Sequence, residues 1–170
     1  MFKNLFNKFL SSKISTNGSL KENLETVLDT VKKDDENITK QERSMLLNVL
    51  KIDQIRSIDI MIPRADIGAV EVNDSFEKVL EVFIKESHSR VPVYEKNLDN
   101  IIGMIHIKDL VKYQNDGNFE EGFLKKIKRD IIEIPPSMPV LDLLMKMQLT
   151  RLHMGIVIDE YGGTDGLVTI

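Results

Sequence analysis

An internal repeat constrains the possible folds of this chain more than any other feature. The stretch Ser89–Asp109 predicts a strand, a turn, a second strand and the start of a helix. The pattern returns about sixty residues later, with Gly166 in place of Gly103 and Gly155 in place of Pro92. Because a repeat of fixed period sets the architecture, we expect two copies of one supersecondary unit.

Composition narrows the class of protein. The 170 residues are 42% hydrophobic and 29% charged, which is ordinary for a soluble globular chain. No run approaches the ~18 apolar residues of a spanning helix, and no signal peptide is recognisable. The absence of cysteine excludes disulfides and thiolate metal sites and fits a reducing, cytoplasmic location. A net charge of −4 argues against a general nucleic-acid binder.

The first 55 residues are expected to be helical and to stand outside the repeats. Residues 1–18 form a short amphipathic segment, which either lies on a membrane surface or docks on a partner or on the domain. Its apolar residues recur at helical spacing, namely Phe2, Leu5, Phe6, Phe9 and Leu10. Residues 19–55 continue with a helix over Ser19–Lys33, and Thr39 with Glu42 forms a capping box that opens another.

The first repeat is placed at residues 56–118. It is expected to hold a strand over Ile67–Val72, a helix capped near Ser75, and a linker at Asn115–Asn118. Two further strands, Val91–Glu95 and Ile101–His106, flank a polar turn at Lys96–Asn100, and a helix begins at Asp109. The predicted stripe of the first helix is Phe76, Val79, Leu80, Phe83 and Ile84.

The second repeat is placed at residues 119–170. A strand over Ile131–Ile134 and the turn Pro135–Ser137 precede a helix, and the strands Met154–Asp159 and Gly166–Ile170 follow. The predicted stripe of that helix is Val140, Leu143, Leu144 and Met147. The fold class is therefore a mixed α+β (α/β) one, with two β-α-β-β-α repeats of which the second lacks its last helix, preceded by N-terminal helices.

The start of the helix near His106 is the strongest candidate for a binding site. Its first amides have no intrahelical partners and the helix dipole is positive there, so phosphate is favoured. Arg64, Arg90 and Lys108 add positive charge. Asp109 either accepts hydrogen bonds from a ribose diol or only favours its own helix dipole above an empty cleft. In the first case the apolar strands near Pro92 and Gly155 offer a slot for a flat base.

Catalysis is not indicated. His88, Ser89 and Arg90 adjoin each other, but the sequence has no Gly-x-Ser-x-Gly elbow. His88, His106 and His153 are dispersed and lack metal-ligand spacing.

At these residues the chain resembles a known family. The repeat is similar to a pair of CBS (cystathionine-β-synthase) domains, and more narrowly to the CorC/HlyC (haemolysin C-like) family. Four stretches carry the resemblance, which runs from about Glu42 to the last residue, namely Asp59–Arg64, His88–Val93, His153–Gly163 and Gly166–Ile170.

The resemblance implies a regulatory module that binds an adenine nucleotide between the repeats, ATP or AMP, with or without Mg²⁺. The family pattern is Gly, two apolar residues, Ser or Thr, two residues, then Asp. Gly103 and Asp109 match it and His106 replaces the hydroxyl, whereas in the second repeat Gly166 and Thr169 match. The candidate nucleotide-binding residues are Ile67, Arg90, Val91, Pro92, His106, Lys108, Asp109, Ile132, Gly155 and Thr169.

Three functions follow from the residues and the resemblance. The first is a non-catalytic module that signals to a membrane transporter of magnesium/cobalt efflux type or to another partner, and that forms a homodimer through its CBS pairs. It would be cytoplasmic, either free or peripheral at the membrane. The second is a haemolysin-like, membrane-active or host-surface protein, secreted or surface-exposed, for which the Met1–Lys13 segment is the direct support. The third is a truncated homologue with little activity.

Overall fold

A computed structural model describes residues 23–24, 39–116 and 122–170 of the chain, with side chains described up to 114 in the first repeat. The chain divides into two compact units, Met1–Gln54 and Ile55–Ile170. The amphipathic segment predicted for residues 1–18 lies outside the described residues. Of the helix predicted for Ser19–Lys33, only residues 23–24 are described, and they are helical.

The first unit contains helix α1, Lys40–Lys51, followed by a 3-10 turn, Ile52–Gln54. The capping box predicted from Thr39 and Glu42 is confirmed. The Glu42 amide donates to the Thr39 hydroxyl at 3.2 Å, and the Thr39 amide donates to the Glu42 carboxylate at 2.7 Å. The Thr39 hydroxyl also donates to the Glu42 carboxylate at 2.8 Å, and the two bonds that the carboxylate accepts lower the pKa of Glu42. A local signal over four residues therefore sufficed to predict where this helix begins.

The second unit contains both repeats, and its elements follow one another closely. The first repeat and its leading segment comprise α2 Ser57–Ile60, β1 Ile62–Pro63, a 3-10 turn Arg64–Asp66, β2 Val70–Glu71, α3 Phe76–Glu86, β3 Arg90–Glu95, β4 Asn97–His106 and α4 Ile107–Asp116. The second comprises α5 Phe123–Ile127, β5 Ile132–Ile134, α6 Val140–Thr150, β6 Met154–Ile158 and β7 Thr164–Thr169.

The two repeats share one topology, which confirms the predicted α+β repeat. In the first sheet β2 runs parallel to β3, and β3 is antiparallel to β4. In the second, β5 runs parallel to β6, and β6 is antiparallel to β7. A helix links the parallel pair in each repeat, α3 in one and α6 in the other. Both helices end on a left-handed residue, Ser87 and Arg151, so the repeat extends to the helix ends.

Each repeat has its own apolar core between helix and sheet. In the first, Val79 and Phe83 of α3 pack with Val91 and Val93 of β3. In the second, the corresponding core joins α6 to β5 and β6 through Ile132, Ile134, Leu143, Met147 and Val157. The predicted stripes are thus largely right. Ile84 is 69% exposed and Leu144 is 37% exposed, because both lie at the edge of the buried arc.

Several boundaries differ from the sequence prediction. The helix expected to begin at Asp109 begins at Ile107 and extends to Asp116, into the predicted linker, and the last strand begins at Thr164 instead of Gly166. Two further differences concern the strands of the first repeat. The turn predicted at Lys96–Asn100 is shorter, since β4 already begins at Asn97, opposite Glu95. Lys96 adopts a positive φ of 73°, which lets the chain reverse within one residue. The strand predicted for Ile67–Val72 is also shorter, because a 3-10 turn precedes Ile67 and only Val70–Glu71 pairs with a neighbour.

The strand register corrects the alignment of the two repeats. Val91 lies opposite Ile105, two residues beyond Gly103, and Gly155 lies opposite Val168, two residues beyond Gly166. Gly155 therefore corresponds to Val91 and not to Pro92 as predicted. The first hairpin carries one more residue than the second, and the extra residue lies between Tyr94 and Ile101, beyond a register shift that both hairpins share.

The segments that lead into the repeats are exchanged between the sheets. β1, at the entrance to the first repeat, pairs with β7 of the second repeat. Arg129, at the entrance to the second repeat, pairs with Met104 in β4 of the first, through N–H···O bonds of 2.8 and 2.9 Å. A Cβ atom on Gly103 or on Gly166 would lie 2.5 Å from a carbonyl oxygen of the crossing segment. Glycine is therefore required at both positions of the repeat.

A third apolar cluster joins the two repeats. It consists of Met104 from β4 together with Met154, Ile156 and Leu167 from the second sheet, all buried. Polar bonds extend this interface. Arg64 forms an ion pair with Asp99 and donates to the Thr164 carbonyl at 3.0 Å, while the Thr164 amide donates to Asp99 at 3.0 Å. The arginine lowers the pKa of Asp99.

Candidate functional site

The structure brings four of the predicted site residues together at the beginning of α4. Arg90 and His106 are paired across β3 and β4, and the chain passes from His106 directly into the helix. The Ile107 amide donates to the Ser89 carbonyl at 3.0 Å, which fixes the helix start against β3. Lys108 and Asp109 follow in the first turn. The first-repeat candidate site is therefore one compact cluster of charged groups.

His106 is part of this helix start and not only a replacement for a hydroxyl. Its Nδ1 atom accepts a hydrogen bond of 3.1 Å from the Lys108 amide. Burial lowers the pKa of His106, and the positive charges of Arg90 and Arg129 lower it further. Acceptance at Nδ1 requires the unprotonated nitrogen, so the geometry and the pKa direction agree. One amide of the helix N-terminus is therefore already occupied.

Asp109 is held by an arginine that sequence reasoning missed. Nε and Nη2 of Arg129 donate to the two carboxylate oxygens of Asp109 at 2.6 and 2.7 Å. The hydrogen bonds from Arg129 lower the pKa of Asp109. The Asp109 side chain is 23% exposed and that of Arg129 is 51% exposed, so the pair lies at the surface. In the sequence, Arg129 is merely one of several charged residues before β5.

The remaining predicted residues fall into three environments. Val91 and Ile132 are in the cores of their own repeats, and Ile67 packs against the cluster between the repeats. Pro92 is buried and lies opposite Met104. These positions can present backbone or a restricted apolar surface to a ligand. Their role in binding stays a prediction.

The second-repeat candidates sit on neighbouring strands. Gly155 pairs with Ile132 on one side and with Val168 on the other, while Thr169 is exposed and pairs with Met154. A Cβ on Gly155 would be 3.3 Å from Ile134 Cδ1 and 3.5 Å from Met147 Cε, so it would point into the core. Gly155 thus keeps α6 close to the sheet.

In residues 23–24, 39–116 and 122–170, no three histidine or acidic side chains are grouped as metal ligands would be. Within the same ranges, no helix combines the length and the apolar character that crossing a bilayer demands.

Comparison with known proteins places these features in context. The sequence profile of the CBS domain matches residues 56–116 and 124–170. A hemolysin C homolog of Rickettsia rickettsii is 43% identical over 145 residues, which are 85% of this chain and 48% of that protein. The chain thus spans about half the length of the curated relatives it matches.

Solved structures agree with the sequence matches. The CBS domain of a bacterial CNNM/CorC family Mg²⁺ transporter, in complex with an inhibitor, superposes with a TM-score of 0.78 at 30% identity, covering 88% of this chain and 91% of that one. A structure of such a domain in complex with ATP has a TM-score of 0.70 at 33% identity, covering 76% and 91%.

Proposed function

The chain belongs to the CBS domain family, and from that premise we propose that it is a non-catalytic regulatory module that binds an adenine nucleotide, ATP or AMP, between its repeats. The observation that carries the proposal is the cluster at the beginning of α4. The helix N-terminus and the cationic side chains of Arg90, Lys108 and Arg129 suit a phosphate, and the Asp109 carboxylate suits a ribose diol. A solved relative of the same fold contains ATP.

The proposed partner is a membrane transporter. The similar solved domains come from Mg²⁺ transporters of the CNNM/CorC family, and a regulatory domain acts by favouring one state of its partner. The proposed location is the cytoplasm, free or peripheral at the membrane. In the proposed nucleotide complex, Asp109 binds the ribose, and Lys108 and Arg90 attract the phosphates. Mg²⁺ accompanies the phosphates of ATP.

The nucleotide proposal is tested by isothermal titration with ATP, ADP and AMP, with and without Mg²⁺. We expect Asp109→Ala to lose about tenfold or more in affinity, because a hydrogen bond to a charged group contributes roughly 1.5–3 kcal/mol. Asp142→Ala is the matched control, since Asp142 is an exposed carboxylate in the first turn of α6. Equal affinity in the wild type and in Asp109→Ala would contradict the assignment.

A membrane-active function is the second candidate, and the names of the curated relatives favour it. Those relatives are called hemolysin C or its homologues, but the chain spans only about half their length. The Met1–Lys13 segment on which this reading rests lies outside the described residues. Leakage from liposomes and lysis of erythrocytes, measured with and without residues 1–18, test it. Lysis that depends on that segment would favour this candidate over nucleotide sensing.

A further inference from the structure

Asp109 already has a partner that uses the atoms a ribose would need. Arg129 binds both carboxylate oxygens through two nearly equal hydrogen bonds of 2.6 and 2.7 Å. A ribose diol would donate to the same two oxygens. Nucleotide binding in the proposed pose therefore competes with this ion pair, and Arg129 must turn aside before the diol can bind.

The backbone of Arg129 is fixed, whereas its side chain is half exposed. Its amide and carbonyl both bond to Met104 in β4, so the residue stays beside the site whatever its side chain does. Gly103 allows this close approach, because any Cβ there would collide with the Arg129 carbonyl. Once released from Asp109, the guanidinium would remain within reach of a ligand at the α4 N-terminus.

The surroundings determine what release of Arg129 costs. Arg90, Lys108 and Arg129 all lie close enough to His106 to lower its pKa, and Lys112 acts in the same way on Asp109. A neutral ligand on Asp109 would leave Arg129 among like charges without its carboxylate. A ligand that carries phosphate would supply a new anion, and arginine binds phosphate in the same forked geometry as carboxylate.

We propose that Arg129 acts as a gate that makes binding at Asp109 depend on ligand phosphate, so that the site prefers nucleotides to free nucleosides. This inference rests on the proposed nucleotide function. It adds that discrimination between nucleotides and nucleosides comes from the segment that leads into the second repeat. Arg129 is thus a specificity-determining residue, in addition to the helix start itself.

The gate is tested by comparing ATP with adenosine in four proteins, namely the wild type and its Arg129→Gln, Arg129→Lys and Lys125→Gln variants. Lys125→Gln removes one positive charge from the same segment, where Lys125 pairs with Glu95. Because a half-exposed ion pair contributes about two- to fivefold, we expect Arg129→Gln to bind adenosine about two- to fivefold more tightly. ATP affinity should change less in this variant, because freeing Asp109 offsets the lost contact between Arg129 and phosphate, so the ATP-to-adenosine preference falls about two- to fivefold.

The conservative variant separates charge from geometry. Arg129→Lys keeps the positive charge but lacks the fork, so it should retain ATP affinity while binding adenosine more tightly than the wild type. Lys125→Gln should keep the wild-type preference. The loss of preference in Arg129→Gln should shrink at high salt, because the phosphate contact it removes is electrostatic. Thermal melts of all variants establish that each is folded.

The possible failures are distinguishable. If ATP binds to the wild type and Asp109→Ala abolishes binding, but Arg129→Gln keeps the wild-type preference, the gate is wrong and the nucleotide function stands. If none of the folded proteins binds ATP or adenosine, the nucleotide function fails and the gate fails with it. Equal falls in preference in Lys125→Gln and Arg129→Gln would reduce the effect to net charge and overturn the specific role of Arg129.

Discussion

His106 completes the start of α4, and we expect it to make the stability of the fold depend on pH. Its unprotonated Nδ1 satisfies an amide that the helix itself leaves without a partner. Comparison of the sequence with the family pattern indicates only that His106 replaces a Ser or Thr hydroxyl. The structure shows that the imidazole accepts a hydrogen bond from the Lys108 amide, so one of the first amides of the helix already has a partner.

The pH dependence follows from the direction of the shift. The pKa of His106 in the folded state lies below its usual 6.5, so the unfolded chain binds more protons between the two values. Stability should therefore be highest above about pH 6.5 and should fall as the pH drops through that value. Asp109 acts in a separate pH range. Because its pKa is lowered in the folded state, the ionised carboxylate stabilises the fold above about pH 4, and this stabilisation is lost at more acid pH.

Urea unfolding between pH 5 and pH 8 measures this effect. We expect His106→Thr, which restores a hydroxyl, to reduce the slope of the unfolding free energy with pH in the range around 6. His88→Gln replaces an exposed histidine outside the cluster and should keep the wild-type slope. A slope that His106→Thr leaves unchanged would show that the histidine does not titrate as inferred.

Site residues were predictable only where the chemistry is local in sequence. Arg90, His106, Lys108 and Asp109 could be grouped, because a hairpin and the helix after it bring them together. Arg129 could not be grouped with them, since its partner Asp109 lies in another element. The pairing of its segment with β4 of the other repeat leaves no local signal in the sequence. The one-residue difference in hairpin length is likewise not visible in the sequence, which aligns Gly155 with Pro92. Only the strand register shows that Gly155 corresponds to Val91.

At the scale of elements, Ser57 anchors the segment that crosses to the second repeat. Its side chain is fully buried, and its hydroxyl donates to the carbonyl oxygens of Pro135 and Pro136 at 2.7 and 2.9 Å. The Ser57 and Ile58 amides also bond to the turn before α6. These contacts hold α2 in place and direct β1 towards β7.

We expect Ser57→Ala to lower the free energy of unfolding by about 1–3 kcal/mol, since it removes buried hydrogen bonds. Ser137→Ala alters an exposed serine two residues after Pro135 and should change stability by less than about 0.5 kcal/mol. Urea denaturation of both variants makes the comparison. Equal stability of the two would mean that the crossing segment is held by its backbone bonds alone.

The regular elements were largely predictable, and the crossing segments were not. Apolar spacing and caps identified α3, α6 and the hairpins, because those patterns reflect burial of one face. β1 has only two residues, Ile62 and Pro63, and its partner is near the other end of the domain. Such a short strand has no apolar periodicity in the sequence, and Pro63 predicts a break in secondary structure instead of a strand.

At the scale of the whole molecule, an apolar stripe on α6 supports the proposed homodimer. Leu143 and Met147 fill the core, yet the other side of the same helix presents Leu141, Leu144, Met145 and Leu149, which are 40, 37, 60 and 83% exposed. A helix that is apolar on both sides is typical of one buried twice. A second copy of the chain is the occupant that we propose for this surface.

Leu149→Lys should shift the protein towards monomer, because a charge in the stripe would have to be desolvated on association. Sedimentation equilibrium measures the change. Tyr161→Lys is the control, as Tyr161 is 94% exposed in the turn between β6 and β7, away from the stripe. If Leu149→Lys left the mass distribution unchanged, the α6 surface would not be the dimer contact.

The exchange of leading segments also has a consequence for synthesis of the chain. β1 emerges from the ribosome before the main sheet of either repeat, but its partner β7 is the last strand that the structure describes. Until β7 has been made, β1 and the apolar side chains beside it have no sheet to join. The first repeat can form its core earlier, whereas this pairing must follow translation of β7. We expect it to be a slow step of folding, because the two strands are far apart in sequence. During that interval we expect the unpaired strand to be open to association with another chain.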